Sequence, residues 1–425
     1  MRCFRTVVFA VLALTASSAE AVGPRMSELP ERVRAIYADT PVIELVTMGI
    51  GARIWERHGH IALCVRYADP RLDRCYNYGT ANFGQPISMG WGFFRGTRSF
   101  WASKDRPGRM LAIYHHADRT IWVQPIPLTD EQEQQVIAKL EEDVLEENRY
   151  YAYDHFWDNC TTRVRDILDD ASGGELKALP GNGDERTIRD LAREGFFGMR
   201  GPLLITDLAM GRVTDYVPSY WEKMFLPQYL RQAAEEAWGI EPIVLYQRKG
   251  PPAPKDGPSG RVLLALVILV LTSPAWATRL WGRFQRVGAL VAILGPVLFG
   301  TVVWFLAIIS PLSYVTWNET CLVWMPFDLA LVILPAGKAR LYARFRVGML
   351  VVCGLLMLVG LLRQPLLAPL LWPLIPALVV GFWPANEVPK VVEEDSPAQK
   401  DSSKAKNSSA GKKATKAKKR KNKGR

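Results

Sequence analysis

The residue best suited to chemistry is Cys160, in the string Asp158-Asn159-Cys160-Thr161-Thr162-Arg163. Val164, Ile167 and Leu168 follow at helical spacing, which predicts a helix whose N-terminus lies at or near the thiol. Unpaired N–H groups and the dipole at such an end favour a thiolate and lower its pKa. A thiol nucleophile needs a base, and the chain offers 5 His: His58, His60, His115, His116 and His155. His60 is the preferred partner, because it sits beside Gly59 and opens a strand-like run from which an imidazole can face a helix-borne thiol. On spacing alone the pair does not separate nucleophilic catalysis from two unrelated core residues. His58-Gly59-His60 with Cys160 falls short of a zinc site, which needs three or four ligands at matching spacing, so neither metal nor cofactor is expected.

These side chains need a scaffold. Val42-Ile43-Glu44-Leu45-Val46-Thr47 reads as a strand ended by Gly49-Ile50-Gly51, and residues 57–66 read as a second strand. A turn at Ala68-Asp69-Pro70-Arg71 leads to Arg74-Cys75-Tyr76-Asn77-Tyr78-Gly79 as its neighbour. Cys64 and Cys75 therefore lie on adjacent predicted strands, placed for a disulfide in an oxidising compartment. Met110 to Tyr114 and Thr120 to Pro125 read as two further strands, with His115-His116 at a strand end and His58 as a flanking surface residue. Thr129 with Gln132 forms a capping box that starts a helix reaching about Glu147. Trp91, Phe93, Phe94 and Trp101 suit either an acyl-chain groove or ordinary core, the second being the commoner use.

The chain has 425 residues, 49% of them hydrophobic, and the apolar content is unevenly spread. Arg2, Arg5, the apolar run Val7 to Leu14 and Ala19-Glu20-Ala21 form a signal-peptide pattern over 1–21. Residues 22–248 read as an extracytoplasmic domain, 249–260 as a linker, 261–384 as a membrane domain and 385–425 as a disordered Lys-rich tail. Candidate spans lie at about 262–278, 287–310, 320–335, 347–362 and 365–383. Arg279, Arg283 and Arg286 follow the first, and Lys338, Arg340, Arg344 and Arg346 follow the third. Placing both groups in the cytoplasm puts residues 22–260 outside and the tail inside, a multi-pass arrangement in the inner membrane. The formal net charge of +11 is roughly supplied by Lys404 to Arg425 alone, which points away from nucleic acid and toward anionic lipid headgroups. Asp328, within an apolar segment, is either a functional group or an interface residue.

The ordered strings Gly59-His60-x-x-Leu63, Tyr76-Asn77-Tyr78-Gly79 and Asn159-Cys160-Thr161-Thr162-Arg163-x-Arg165-Asp166 resemble the N-terminal periplasmic domain family of Lnb-type lipoprotein N-acyltransferases. Asp215-Tyr216-Val217-Pro218-Ser219-Tyr220-Trp221-Glu222 is similar to it as well. The resemblance implies an α+β, circularly permuted papain-like domain, with His before Cys as in lecithin:retinol acyltransferase-like proteins. By that likeness Cys160 is the nucleophile, His60 its base and Asn77 the residue that orients the imidazole, with Asn159, Arg163 and Tyr78 in support. The implied chemistry is acyl transfer through an acyl-Cys intermediate on a membrane lipid or lipoprotein substrate. Two other readings stay open: a cell-wall amidase or cysteine peptidase with the same dyad, and a non-catalytic membrane scaffold.

Overall fold

The computed structural model describes residues 24–252, 254, 257 and 260–383, so the predicted signal segment and tail lie outside the described residues. The chain is mixed α/β: an antiparallel-sheet domain comes first and apolar helices follow. The strands are β1 (Val42–Met48), β2 (His60–Arg66), β3 (Arg74–Thr80), β4 (Phe100–Asp105), β5 (Ile121–Ile126), β6 (Tyr150–Tyr151) and β7 (Ile243–Tyr246). They form one sheet in the order β6-β4-β3-β2-β1-β5-β7. The register sets Ala62 opposite Asn77 and Cys64 opposite Cys75, and these two cysteines are disulfide-bonded.

Alternation along β2 sends its side chains into two cores. Ile61, Leu63 and Val65 join Tyr76 and Tyr78 of β3 in one core. Ala62, Cys64 and Cys75 pack with Met110 on the opposite face. The helices of the domain begin with α1 (Glu31–Ala38), α2 (Pro86–Phe94), α3 (Pro107–His116), α4 (Asp130–Asp143) and α5 (Cys160–Ser172). The helix α3 corrects the strand expected at Met110 to Tyr114. Pro107 at its first position is preorganised for a helix, and buried Met110 with half-buried Leu111 and Tyr114 share one face while Ile113 points to solvent. Thr129 caps α4 as expected, with the Gln132 N–H donating to its hydroxyl and Gln132 Oε1 accepting the Thr129 N–H; the helix ends at Asp143, short of Glu147. Later come α6 (Ile188–Glu194), α7 (Arg200–Ala209), α8 (Tyr220–Lys223) and α9 (Pro227–Trp238).

The apolar half holds α10 (Gly260–Trp281), α11 (Gln285–Ile309), α12 (Ser313–Thr316), α13 (Thr320–Val323), α14 (Ala330–Ile333), α15 (Ala336–Leu358) and α16 (Leu367–Phe382). Three of them, Val262–Trp281, Gln285–Ile309 and Ala336–Leu358, are long and apolar enough to cross a membrane, and α16 is shorter. Residues 320–335 do not form one continuous helix. Pro326 opens a separate 3-10 turn and Pro335 precedes α15, each interrupting backbone bonding. Lys338, Arg340, Arg344 and Arg346 lie inside α15 rather than in a loop, and Arg346 is fully buried in a bidentate pair with Asp328.

The link between α11 and α13 is built into the sheet domain. Leu312, Tyr314 and Val315 belong to its main core, Tyr314 O accepts the Gly211 N–H at 2.6 Å, and Trp317 O accepts the Arg212 N–H at 3.0 Å. The Asn318 amide donates to Leu208 O at 2.9 Å, and Glu319 and Gln364 exchange backbone-to-side-chain hydrogen bonds. Sheet domain and apolar helices therefore share packed core, not only a covalent link.

Candidate active site

Cys160 is the first residue of α5, and the string around it is largely a capping device. Asn159 Oδ1 accepts the N–H groups of Thr161 and Thr162 at 2.7 and 2.9 Å, while Thr162 Oγ1 accepts the Asn159 N–H at 2.8 Å. The Asn159 amide donates to His155 O and Phe225 O, fixing the cap to the rest of the domain. Asn159 O accepts the Arg163 N–H. The cap thus commits the N–H groups of Thr161, Thr162 and Arg163, and the Cys160 N–H is the first-turn donor it leaves over.

The thiol sits where two strands part. Pairing of β2 with β3 begins only at Ala62 and Asn77, so His60 and Ile61 lie beyond it. Gly79, with φ +79°, adopts a left-handed conformation within an irregular stretch of β3. A Cβ at Gly79 would lie 3.6 Å from Cys160 Cβ and 3.2 Å from the Tyr153 ring. From the β2 side, the Ile61 N–H is directed at Cys160 Sγ. The thiol therefore occupies a slot between Ile61 and Gly79.

His60 adjoins that slot but projects to the other face of the sheet. Its Nε2 bonds Asn77 Oδ1 at 3.2 Å across the β2–β3 pair, and its ring stacks on Tyr114 of α3 at 5.9 Å. Asn77 thus orients the imidazole and leaves Nδ1 as the other ring nitrogen. Among the described residues no hydrogen bond joins the imidazole to Cys160 Sγ; on β2 the thiol is met by the N–H of Ile61, the residue after His60. Arg119 lies over the Tyr114 ring at 4.8 Å and donates from Nε to Gly49 O at 2.7 Å. Its Nη2 is buried and meets no acceptor among the described residues.

The electrostatics differ from the thiolate expected at a helix start. Burial pushes the Cys160 thiol up from its ordinary value, against lesser stabilisation by Thr161 and nearby N–H groups. Burial, then the Arg119 charge, push His60 down to about 4, with the Asn77 bond acting in the other sense. Both groups rest neutral near pH 7. Desolvation of the thiol, in a residue only 8% exposed, outweighs the helix end here.

The supporting residues acquire definite contacts. The Tyr78 hydroxyl donates to Asp143 at 2.7 Å, tying β3 to α4. Arg163 forms a bidentate pair with Asp158 at 2.6 and 2.9 Å and lies 3.7 Å over the Tyr151 ring. Among the described residues neither hydrogen-bonds the thiol; Arg163 bears on the wall through Tyr151. His58 is no free surface group: its Nε2 bonds Ala192 O at 2.8 Å and its ring meets His155 and Phe196. His115 packs on Tyr246 at the end of α3. Phe93 packs onto the wall beside Tyr153, Trp101 lies against Tyr150 and Trp91 is exposed. Among the described residues no three His, Cys, Asp or Glu side chains are grouped to hold a metal ion. Tyr114 and Arg119 carry no motif in the sequence: Tyr114 reaches His60 because residues 107–116 are helical rather than a strand, and Arg119 reaches the Tyr114 ring only in the fold.

Residues 30–194 match the family model described as the Lnb N-terminal periplasmic domain. Residues 30–194 thus carry an Lnb-type N-terminal periplasmic domain. The match includes β2, β3 and the start of α5, hence His60, Asn77 and Cys160. Neither the curated proteins nor the solved structures compared with it gave a match. With this periplasmic-type domain and its three long apolar helices, the chain is a membrane protein with an extracytoplasmic segment.

Proposed function

We propose that the protein is a thiol acyltransferase acting on lipoprotein or phospholipid acyl esters at the outer face of the cytoplasmic membrane. One observation carries the reading: a capped, helix-borne thiol lies in a strand gap beside an Asn-oriented imidazole, in a domain packed onto apolar helices. The match of residues 30–194 to the Lnb N-terminal periplasmic domain supports the same substrate class.

The neutral resting pair suits proton transfer coupled to attack. His60 takes the Cys160 proton as sulfur adds to the ester carbonyl. The Cys160 N–H serves as one donor to the resulting oxyanion. Collapse expels the glyceryl alcohol, which recovers the proton from the imidazolium, and leaves an acyl-Cys160 thioester. An amine then attacks that carbonyl, His60 accepts its proton, the sulfur departs and an amide forms. The aromatic wall of Tyr151 and Tyr153 favours an acyl chain over a cell-wall amide. In this arrangement the Lys-rich tail lies in the cytoplasm near anionic headgroups.

The test is intact-mass analysis of the full chain in vesicles containing a diacylated lipopeptide. An acyl adduct on Cys160, released by hydroxylamine and absent from Cys160→Ser, is expected. No adduct and no transfer by folded protein would leave the scaffold reading in its place, whereas release from murein fragments would favour the amidase.

A further inference from the structure

The sheet domain exposes a group of large apolar side chains that its own core does not need. Ile87 is 88% exposed, Ile54 54%, Trp91 49%, Trp55 40% and Phe83 37%. They are linked by one contact and by the chain: Trp55, next to Ile54, stacks on Phe83 at 5.4 Å, and Phe83 lies just before α2, which carries Ile87 and Trp91. A patch of this kind marks a surface with a partner.

What covers it is indicated by where it ends. Trp91 stacks on Phe305 at 6.1 Å, four residues before the end of α11, one of the helices able to span a membrane. Gly96, just past α2, has φ +60°, and a Cβ there would run into Pro311, just past the end of α11. The patch thus continues the apolar surface of a membrane helix at its domain-proximal end. Its polar fringe has matching chemistry. Arg53 lies 5.8 Å over Trp55 and Arg95 5.8 Å over Trp91, so each indole is paired with an exposed cation, as at the level of lipid phosphates.

The other face of α2 leads to the thiol. Met89 and Phe93 pack against Phe100 and Tyr151, Phe100 stacks on Tyr153 at 4.6 Å, and Tyr153 borders Gly79 beside Cys160. One helix therefore separates the exposed patch from the wall of the slot.

We propose that α2, with Ile54, Trp55 and Phe83, is an interfacial element seated in the acyl-chain and headgroup boundary of the outer leaflet, holding the Cys160 slot against the bilayer. The proposal rests on α10, α11 and α15 spanning that bilayer; it does not need the acyl-transfer chemistry.

The experiment uses the full chain in phosphatidylethanolamine–phosphatidylglycerol vesicles, with single added cysteines carrying an environment-sensitive fluorophore, and the unsubstituted chain as labelling background. Ile87→Cys probes the patch and Ile308→Cys probes the end of α11. Leu72→Cys, 54% exposed in the turn at the far end of β2, is the control. Lipids bearing a nitroxide high on the acyl chain are expected to quench the Ile87 and Ile308 labels at least threefold more than the Leu72 label. Quenching at Ile308 with Ile87 no different from Leu72 would overturn the interfacial seat while leaving the spans intact. No excess quenching at either position would overturn both.

Discussion

Asp328 and Arg346 are withdrawn from solvent as completely as Cys160 and Asn77, yet the two clusters are finished in different ways. Among the apolar helices, Arg346 bonds both Asp328 oxygens and two backbone carbonyls, and the Tyr342 hydroxyl adds a bond to Asp328 Oδ1. Two charges neutralise each other there, joining α15 to the broken segment before it. In the sheet domain, a neutral thiol and a neutral imidazole stand at a strand gap, and Arg119 keeps one nitrogen without an acceptor among the described residues. Buried polarity that is fully paired fixes architecture, and buried polarity left incompletely paired beside an opening is the candidate for chemistry. The difference reassigns Asp328 as a structural group, although its burial first marks it as a functional candidate.

Substitution at the two clusters should therefore separate activity from stability. Cys160→Ala is expected to abolish the acyl adduct and transfer, a loss of at least about 10³-fold, with no fall in the thermal midpoint in detergent. Asp328→Ala should strand the Arg346 charge and cost about 3–5 kcal/mol, seen as a lowered midpoint. A folded, stable Asp328→Ala without activity would break the contrast. Next in size, His60→Gln should lower kcat by about 10²–10⁴-fold. The pH profile sharpens this: His60 must be neutral to accept a proton, so activity should fall as pH drops through about 4. The Arg119 cation disfavours the imidazolium, so Arg119→Met should move that acid limb to higher pH. An unmoved limb would remove Arg119 from the positioning of His60.

A smaller effect is expected at Gly79. Gly79→Ala places a Cβ in a left-handed conformation and crowds Tyr153, costing about 1–2 kcal/mol. Because that Cβ would also face Cys160, kcat should fall more than the midpoint alone accounts for. Equal, small changes in both would make the Gly79 irregularity a matter of sheet geometry only.

The sequence carried the site better than it carried its surroundings. The Asn159 cap, the strand opening at His60 and the Cys64–Cys75 apposition are local patterns, set by side-chain spacing and alternation. The helix α3 is hard to read because Met110-Leu111-Ala112-Ile113-Tyr114 is apolar at either period; Pro107 at its start is the one local signal, and packing against Ala62 and Cys64 completes the choice. The sequence also hid that His60 and α5 occupy opposite faces of the sheet, since parity depends on register across three strands. The continuous span expected at 320–335 failed for a local reason, its prolines. Arg346 failed for a distant one: a basic residue counted as topogenic is buried by a carboxylate eighteen positions earlier.

The last test asks whether the wall of the slot depends on geometry or on charge. Arg163 grips Asp158 through two parallel bonds and covers Tyr151 with its guanidinium face. Lysine keeps the charge and loses both features. The pair is partly exposed, so solvent screening limits the stability effect of Arg163→Lys to about 1 kcal/mol or less. If the guanidinium holds Tyr151 in place beside Gly79, KM for a long-chain donor should rise several-fold while kcat and a short-chain donor change little. A uniform loss across chain lengths would instead place Arg163 with the α5 cap, on the architectural side of the comparison.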